Sequence, residues 1–239
     1  MKKVSLMLLV IFSLSISSCD ILKNIDISKF PELPGTSQAL STTDIIAGLK
    51  EALNVGTKNA VNILSKENGF FGDPLFKIPF PSEVKVVEDK LRQVGLGKMI
   101  DDFVKNMNHG AEQAVSLAVP IFVDAIKQMS FDDAKNILKG PDNAATEYFQ
   151  NKTTSNLFNV FKPKVNETLD KVQVTKHWND IFTAYNKIPL VKKVETDLAK
   201  YVTNKALDGL FNKLANEEKL IRTDPGARVT DILKKVFGS

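Results

Sequence analysis

The sequence predicts an all-α fold, an irregular bundle of about eight helices preceded by a signal peptide and a tether. Three observations carry that expectation. From Ser41 onward, apolar residues recur every three or four positions, the repeat that places one apolar stripe on a helix. No stretch alternates with period two for long enough to make a sheet, and the valines and isoleucines fall mostly inside the helical repeats. The repeats are separated by proline, glycine and Ser/Asp capping signals, and no unit recurs at a fixed period, which disfavours a solenoid.

Residues 1–18 read as a secretion signal. Met1-Lys2-Lys3 is basic, and the apolar run from Val4 to Ile16 includes Ser5, Ser13 and Ser15. That run falls short of the roughly 20 residues that a helix needs to cross a hydrocarbon core. Ile16-Ser17-Ser18-Cys19 resembles the lipobox of bacterial lipoproteins: an aliphatic residue, two small residues, then cysteine. The resemblance implies cleavage between Ser18 and Cys19, diacylglycerol on the Cys19 thiol and an acyl chain such as palmitate on the freed amine. Two or more chains make membrane attachment stable where one does not. Cys19 is the sole cysteine, so no internal disulfide can form. The expected address is the cell envelope, with the outer membrane favoured over the inner.

Residues 19–40 read as the lipidated tether. Pro31, Pro34, Gly35, Thr36 and Ser37 occur there with no sustained apolar period. Its first part, Asp20 to Ile27, is more apolar than most linkers, which suits a segment lying on the domain or on lipid.

Residues 41–239 form the expected helical domain. Ser41 with Asp44 makes a capping box that opens a helix over about 42–65. Residues 66–81 break the pattern with two glycines and three prolines and carry Phe70, Phe71, Phe76 and Phe80, so they should form an ordered loop. A second helix begins after Ser82, and Gly95-Leu96-Gly97 separates it from a third. Pro120 falls inside the continuing pattern and requires a kink or break. Ser130 with Asp133 is another capping box, for a short helix stopped at Gly140-Pro141. Asp142 is positioned to cap the next helix, which Pro163 should interrupt. Helices are expected at about 176–187 and 194–221, and Asp224-Pro225 should open a last one over 226–237.

These blocks, taken in order, resemble a bacterial family called domain of unknown function 4197. The resemblance rests on Asp44–Leu53, Ile78-Pro79-Phe80-Pro81, Phe122–Ile126, Gly140-Pro141-Asp142, Tyr185–Pro189, Lys205–Phe211, and the ending Asp224–Arg228 with Leu233–Phe237. It covers about residues 41–237. It implies a secreted, usually lipid-anchored helical domain and brings no activity with it.

Charge and composition exclude several classes. The formal net charge of +4 includes Lys2 and Lys3, so the mature chain is nearly balanced and makes no electrostatic case for nucleic acid. His109 and His177 are the only histidines, too few for a nitrogen/sulfur metal site, and no metal or other cofactor is expected. Glycine-rich phosphate loops, HExxH and nucleophile-elbow motifs do not occur, and no catalytic residue is assigned. The Asn151 and Asn166 sequons are chance matches in a bacterial lipoprotein.

Two constellations stand out. Arg222, Asp224, Arg228 and Asp231 could present guanidinium forks to an anion, or form salt bridges that cap the last helix, the simpler reading. The phenylalanines of the loop, joined by Tyr148, Trp178 and Tyr185, could make a lid or docking patch, or simply close the core. The function expected is a non-catalytic, membrane-tethered module that binds an envelope protein or component. The alternative is a carrier with a cavity for a small apolar ligand between helices.

Overall fold

Ser41 opens the first helix by the local chemistry its sequence encodes. Its hydroxyl accepts the Asp44 amide at 3.1 Å and the Asp44 carboxylate accepts the Ser41 amide, which satisfies two backbone donors that a helix start leaves bare. The computed structural model describes residues 41–171 and, between 178 and 234, all but 179–181, 184, 188, 191, 192, 196 and 233. Ser18, Cys19, the tether and His177 lie outside the described residues.

Among the described residues there are seven α-helices and no strand. They are α1 (Thr42–Leu64), α2 (Lys85–Gln93), α3 (Gly97–Val115), α4 (Ala118–Gln128), α5 (Phe131–Lys139), α6 (Ala144–Asp170) and α7 (Leu198–Thr223). Trp178, Phe182, Thr183 and Tyr185 are also helical. The long helices α6 and α7 pack along each other; α3 lies against both, and α1 covers α7 and α4. Their shared core sets Phe122 edge-to-face against Phe149 at 5.1 Å and Phe211 at 6.4 Å between ring centroids. No single described helix is long and apolar enough to cross a membrane.

The breaks follow the expected chemistry in part. Gly95 ends α2 with φ +86°, a conformation that a side chain would strain. Pro120 does not kink a continuous helix: the chain breaks at Ser116–Leu117, leaving the proline in the first turn of α4, where its missing amide has no intrahelical acceptor. Ser130 caps α5 as Ser41 caps α1, and its hydroxyl, followed by its amide, holds the Asp133 carboxyl below the ordinary range. That contribution is present above the usual carboxylate pKa and is lost as pH falls through the depressed value. Ser130→Ala is expected to lower stability by about 1 kcal/mol in denaturant titration; an unchanged midpoint would show that water replaces the cap.

Three expectations are corrected. Asp142 does not cap α6: Asn143 occupies the cap position but its side chain accepts no backbone amide, and the buried Glu218 carboxylate of α7 takes the free amides of Ala145 and Thr146 at 2.9 Å each. Pro163 does not interrupt α6, which runs through it. Pro163 and Asn159, whose carbonyl the proline leaves without a donor, both lie on the exposed face, so water can satisfy that oxygen. The last helix does not begin at Gly226. Asp224 accepts the Gly226 amide at 2.8 Å, a 3₁₀ turn follows over Pro225–Ala227, and Arg228 leaves helical geometry at ψ 72°. Helix resumes at Asp231.

Candidate functional site

The phenylalanine loop is pinned to α3 by two buried polar side chains one turn apart. Asn108 accepts the Ile78 amide at 2.8 Å and donates to the Ile78 carbonyl at 2.9 Å, replacing both partners that a strand neighbour would supply. Four residues on, Glu112 accepts the amides of Phe70 and Phe71 at 3.1 and 3.2 Å through one oxygen, while its other oxygen lies 2.7 Å from His109 Nδ1. From α7 the Tyr201 hydroxyl donates to the Pro79 carbonyl at 3.1 Å. Burial pushes the Tyr201 pKa up to about 12, so it remains a donor at neutral pH.

These anchors sort the four phenylalanines. Phe70 is fully buried against Gly209 of α7, and Phe76 is buried in the same core. Phe80 is half-buried in an aromatic cluster, with its centroid 5.4 Å from Phe103 and 5.7 Å from Trp178. Trp178 in turn lies 4.2 Å from Phe182, which touches Tyr185, and its indole donates to the Glu195 carbonyl. Tyr148 stands apart from this group; its hydroxyl donates to Ala125 between α4 and α6. The loop is therefore partly core and partly wall.

Phe71 and Phe80 line the inner side of an open groove of about 630 Å³, with Pro79 and Val104. The outer side is α2, a helix with no fully buried residue that leans on the core through Val87 and Leu91. A chain of ion pairs holds it in place: Lys85 to Asp89 at 2.7 Å, Glu88 to Arg92 at 3.0 Å, and Arg92 to Asp101 of α3 at 2.8 Å. The Asp89 carboxylate, then Glu88, raises the Lys85 pKa, and Asp101, then Glu88, raises that of Arg92. Lys77 differs from these cations: its Nζ sits 4.3 Å over the Phe71 ring and makes no ion pair among the described residues. The groove thus offers an aromatic floor, a cation without a carboxylate partner among the described residues and a charged rim, a surface suited to binding.

The second predicted constellation does not assemble as aspartates facing arginines. Arg222 pairs with Glu218 at 2.8 Å and donates to the Ile137 carbonyl at the end of α5. Arg228 donates to the carbonyls of Ile221 and Arg222 and so closes the end of α7. Asp224 caps the turn, and Asp231, fully exposed, lies 3.6 Å from Lys234. The physical reason is that the free carbonyls at two helix ends, and a buried carboxylate, lie nearer the guanidiniums than the aspartates do. The apolar crevice beside this node, among α1, α6 and α7, holds about 20 Å³, room for a single water.

Asn108, Glu112 and Glu218 were missed as candidates, yet each left a signal. Each is a polar residue in phase with a buried apolar stripe: Ile100, Val104 and Ala111 for the first two, Leu210, Leu214 and Ile221 for the third. Among the described residues no three His, Cys, Asp or Glu side chains gather as a metal site. No curated protein and no solved structure matches the chain. A family model described as "Protein of unknown function (DUF4197)" matches residues 39–238. Since that match takes in every described residue and far more than half of the sequence, the chain belongs to the DUF4197 family.

Proposed function

We propose that this chain is a cell-envelope lipoprotein, held on the outer membrane by lipid on Cys19, whose helical domain binds a protein partner in the groove between the phenylalanine loop and α2. The observation that carries this reading is the groove itself: about 630 Å³ of open space on a loop anchored at Phe70, Phe71, Ile78 and Pro79. A rigid loop loses little conformational entropy when a partner arrives, so its contacts convert more fully into affinity. Anchoring both partners to one surface raises their mutual concentration, which lets a modest groove suffice. The carrier reading receives less support, because Phe70 fills the space beneath the loop and the apolar crevice among α1, α6 and α7 admits only a water.

The test is a photo-crosslinker placed at Ser82 on the groove rim, with Ser155 on the exposed face of α6 as control, in cells of the native host. The expected result is a discrete crosslinked protein from position 82 alone, with its yield cut several-fold by Lys77→Glu. Equal products from both positions, or none, would sink the proposal. Intact-mass analysis of the same material should find a chain beginning at Cys19 with acyl mass.

A further inference from the structure

We propose that the surface where α1 meets α5 is a docking face for an anionic lipid bilayer. This rests on the lipid-anchor reading above. Helix α5 carries two stripes. Ala134 and Ile137 enter the core, while Phe131, Lys135, Leu138 and Lys139, at positions i, i+4, i+7 and i+8, share the adjacent face, with Leu138 partly buried against the core. Phe131 is 54 % exposed, a large aromatic that the core does not use. With Ile45 and Ile46 of α1, this second stripe frames an apolar groove of about 330 Å³.

Charge distinguishes this groove from an ordinary exposed patch. Its lining holds two lysines and no carboxylate, whereas the groove beside α2 has Glu88 and Asp101 among its lining residues. Lys135 and Lys139 make no ion pair among the described residues, so the face has two cations and no internal counter-charge for them. Of the nearby carboxylates, Asp44 is engaged in its own capping box, and the exposed Asp132, one turn before Lys135, pairs with neither lysine and does not line the groove. An aromatic ring among aliphatic side chains, bordered by lysines, is the combination that partitions into an anionic bilayer interface.

Position identifies the occupant. Thr42, the first residue of α1, lines the groove, so the chain enters the domain at this face. Whatever path residues 20–40 take, they span at most about 80 Å from Cys19 to Ser41. The face at which the chain enters the domain is thus both apolar and basic. Docking would set the orientation of the domain on the membrane, while the acyl chains supply the affinity.

The test uses the full mature lipoprotein, in which the Cys19 thiol is acylated and an introduced cysteine is the only free one. An environment-sensitive fluorophore is attached at Thr42→Cys, or at Ser155→Cys as control, and the protein is reconstituted in phosphatidylcholine vesicles with or without phosphatidylglycerol. The probe at 42 should shift to the blue and be quenched by spin-labelled lipid when phosphatidylglycerol is present, and the probe at 155 should not. With Lys135→Glu and Lys139→Glu the quenched fraction should fall by about tenfold, since two attractive charges are reversed. Both lysines are exposed, so these variants leave the core intact. A probe that stays in water while the protein floats with the vesicles overturns the docking face and leaves the anchor standing. Equal burial on neutral vesicles overturns the assignment to anionic lipid, and a shift seen only with native envelope proteins overturns it in favour of a protein partner. A native chain without acyl mass overturns the anchor reading, and the docking proposal with it.

Discussion

Glu218→Ala is expected to destabilise the domain by about 3–5 kcal/mol, the usual cost of removing one partner from a buried ion pair. Glu218 is 7 % exposed and serves three structures at once. Its oxygens accept the Ala145 and Thr146 amides and the Thr146 hydroxyl at the start of α6, and they pair with Arg222, which also holds the end of α5. Alanine would leave two helix-start amides without acceptors and a guanidinium, 15 % exposed, without its counter-charge. Glu218→Gln keeps an acceptor oxygen and should lose less. Urea titration followed by circular dichroism measures both, and a loss below about 1 kcal/mol for alanine would mean that water already reaches the α6 start.

Phe70→Ala should cost a similar amount, about 3–5 kcal/mol, because it empties a fully buried aromatic site. The same contact makes a second variant informative. A Cβ at Gly209 would stand 2.6 Å from Phe70 Cε1, so Gly209→Ala is expected to cost about 1–3 kcal/mol by overpacking. In the Phe70→Ala background that clash is gone, and the added methyl should be neutral or stabilising. Additive losses in the double variant would show that ring and glycine do not meet.

These two sites mark the limit of sequence reading. The boxes at Ser41 and Ser130 were legible because donor and acceptor lie three residues apart, so local spacing contains the whole interaction. The cap of α6 was not, because its carboxylate comes from 73 residues downstream. Asp142 was a reasonable local guess that a buried, better-placed acceptor displaced. The same holds for the candidate groove. The apolar weight of residues 66–81 announced an ordered loop, but Phe70 and Phe71 are adjacent and chemically identical, and only the packing against α3 and α7 sends one into the core and leaves the other on the groove.

The sequence by itself determined the helical class, the helix starts fixed by the capping boxes at Ser41 and Ser130, and the family, because these depend on short-range spacing and on the order of blocks along the chain. Tertiary structure alone decided which polar groups became structural, which phenylalanines remained at the surface, and that Arg222 and Arg228 serve helix ends rather than a ligand. Those outcomes follow from burial: a charge or amide removed from water must find a partner in space, and sequence distance does not reveal which one stands nearest.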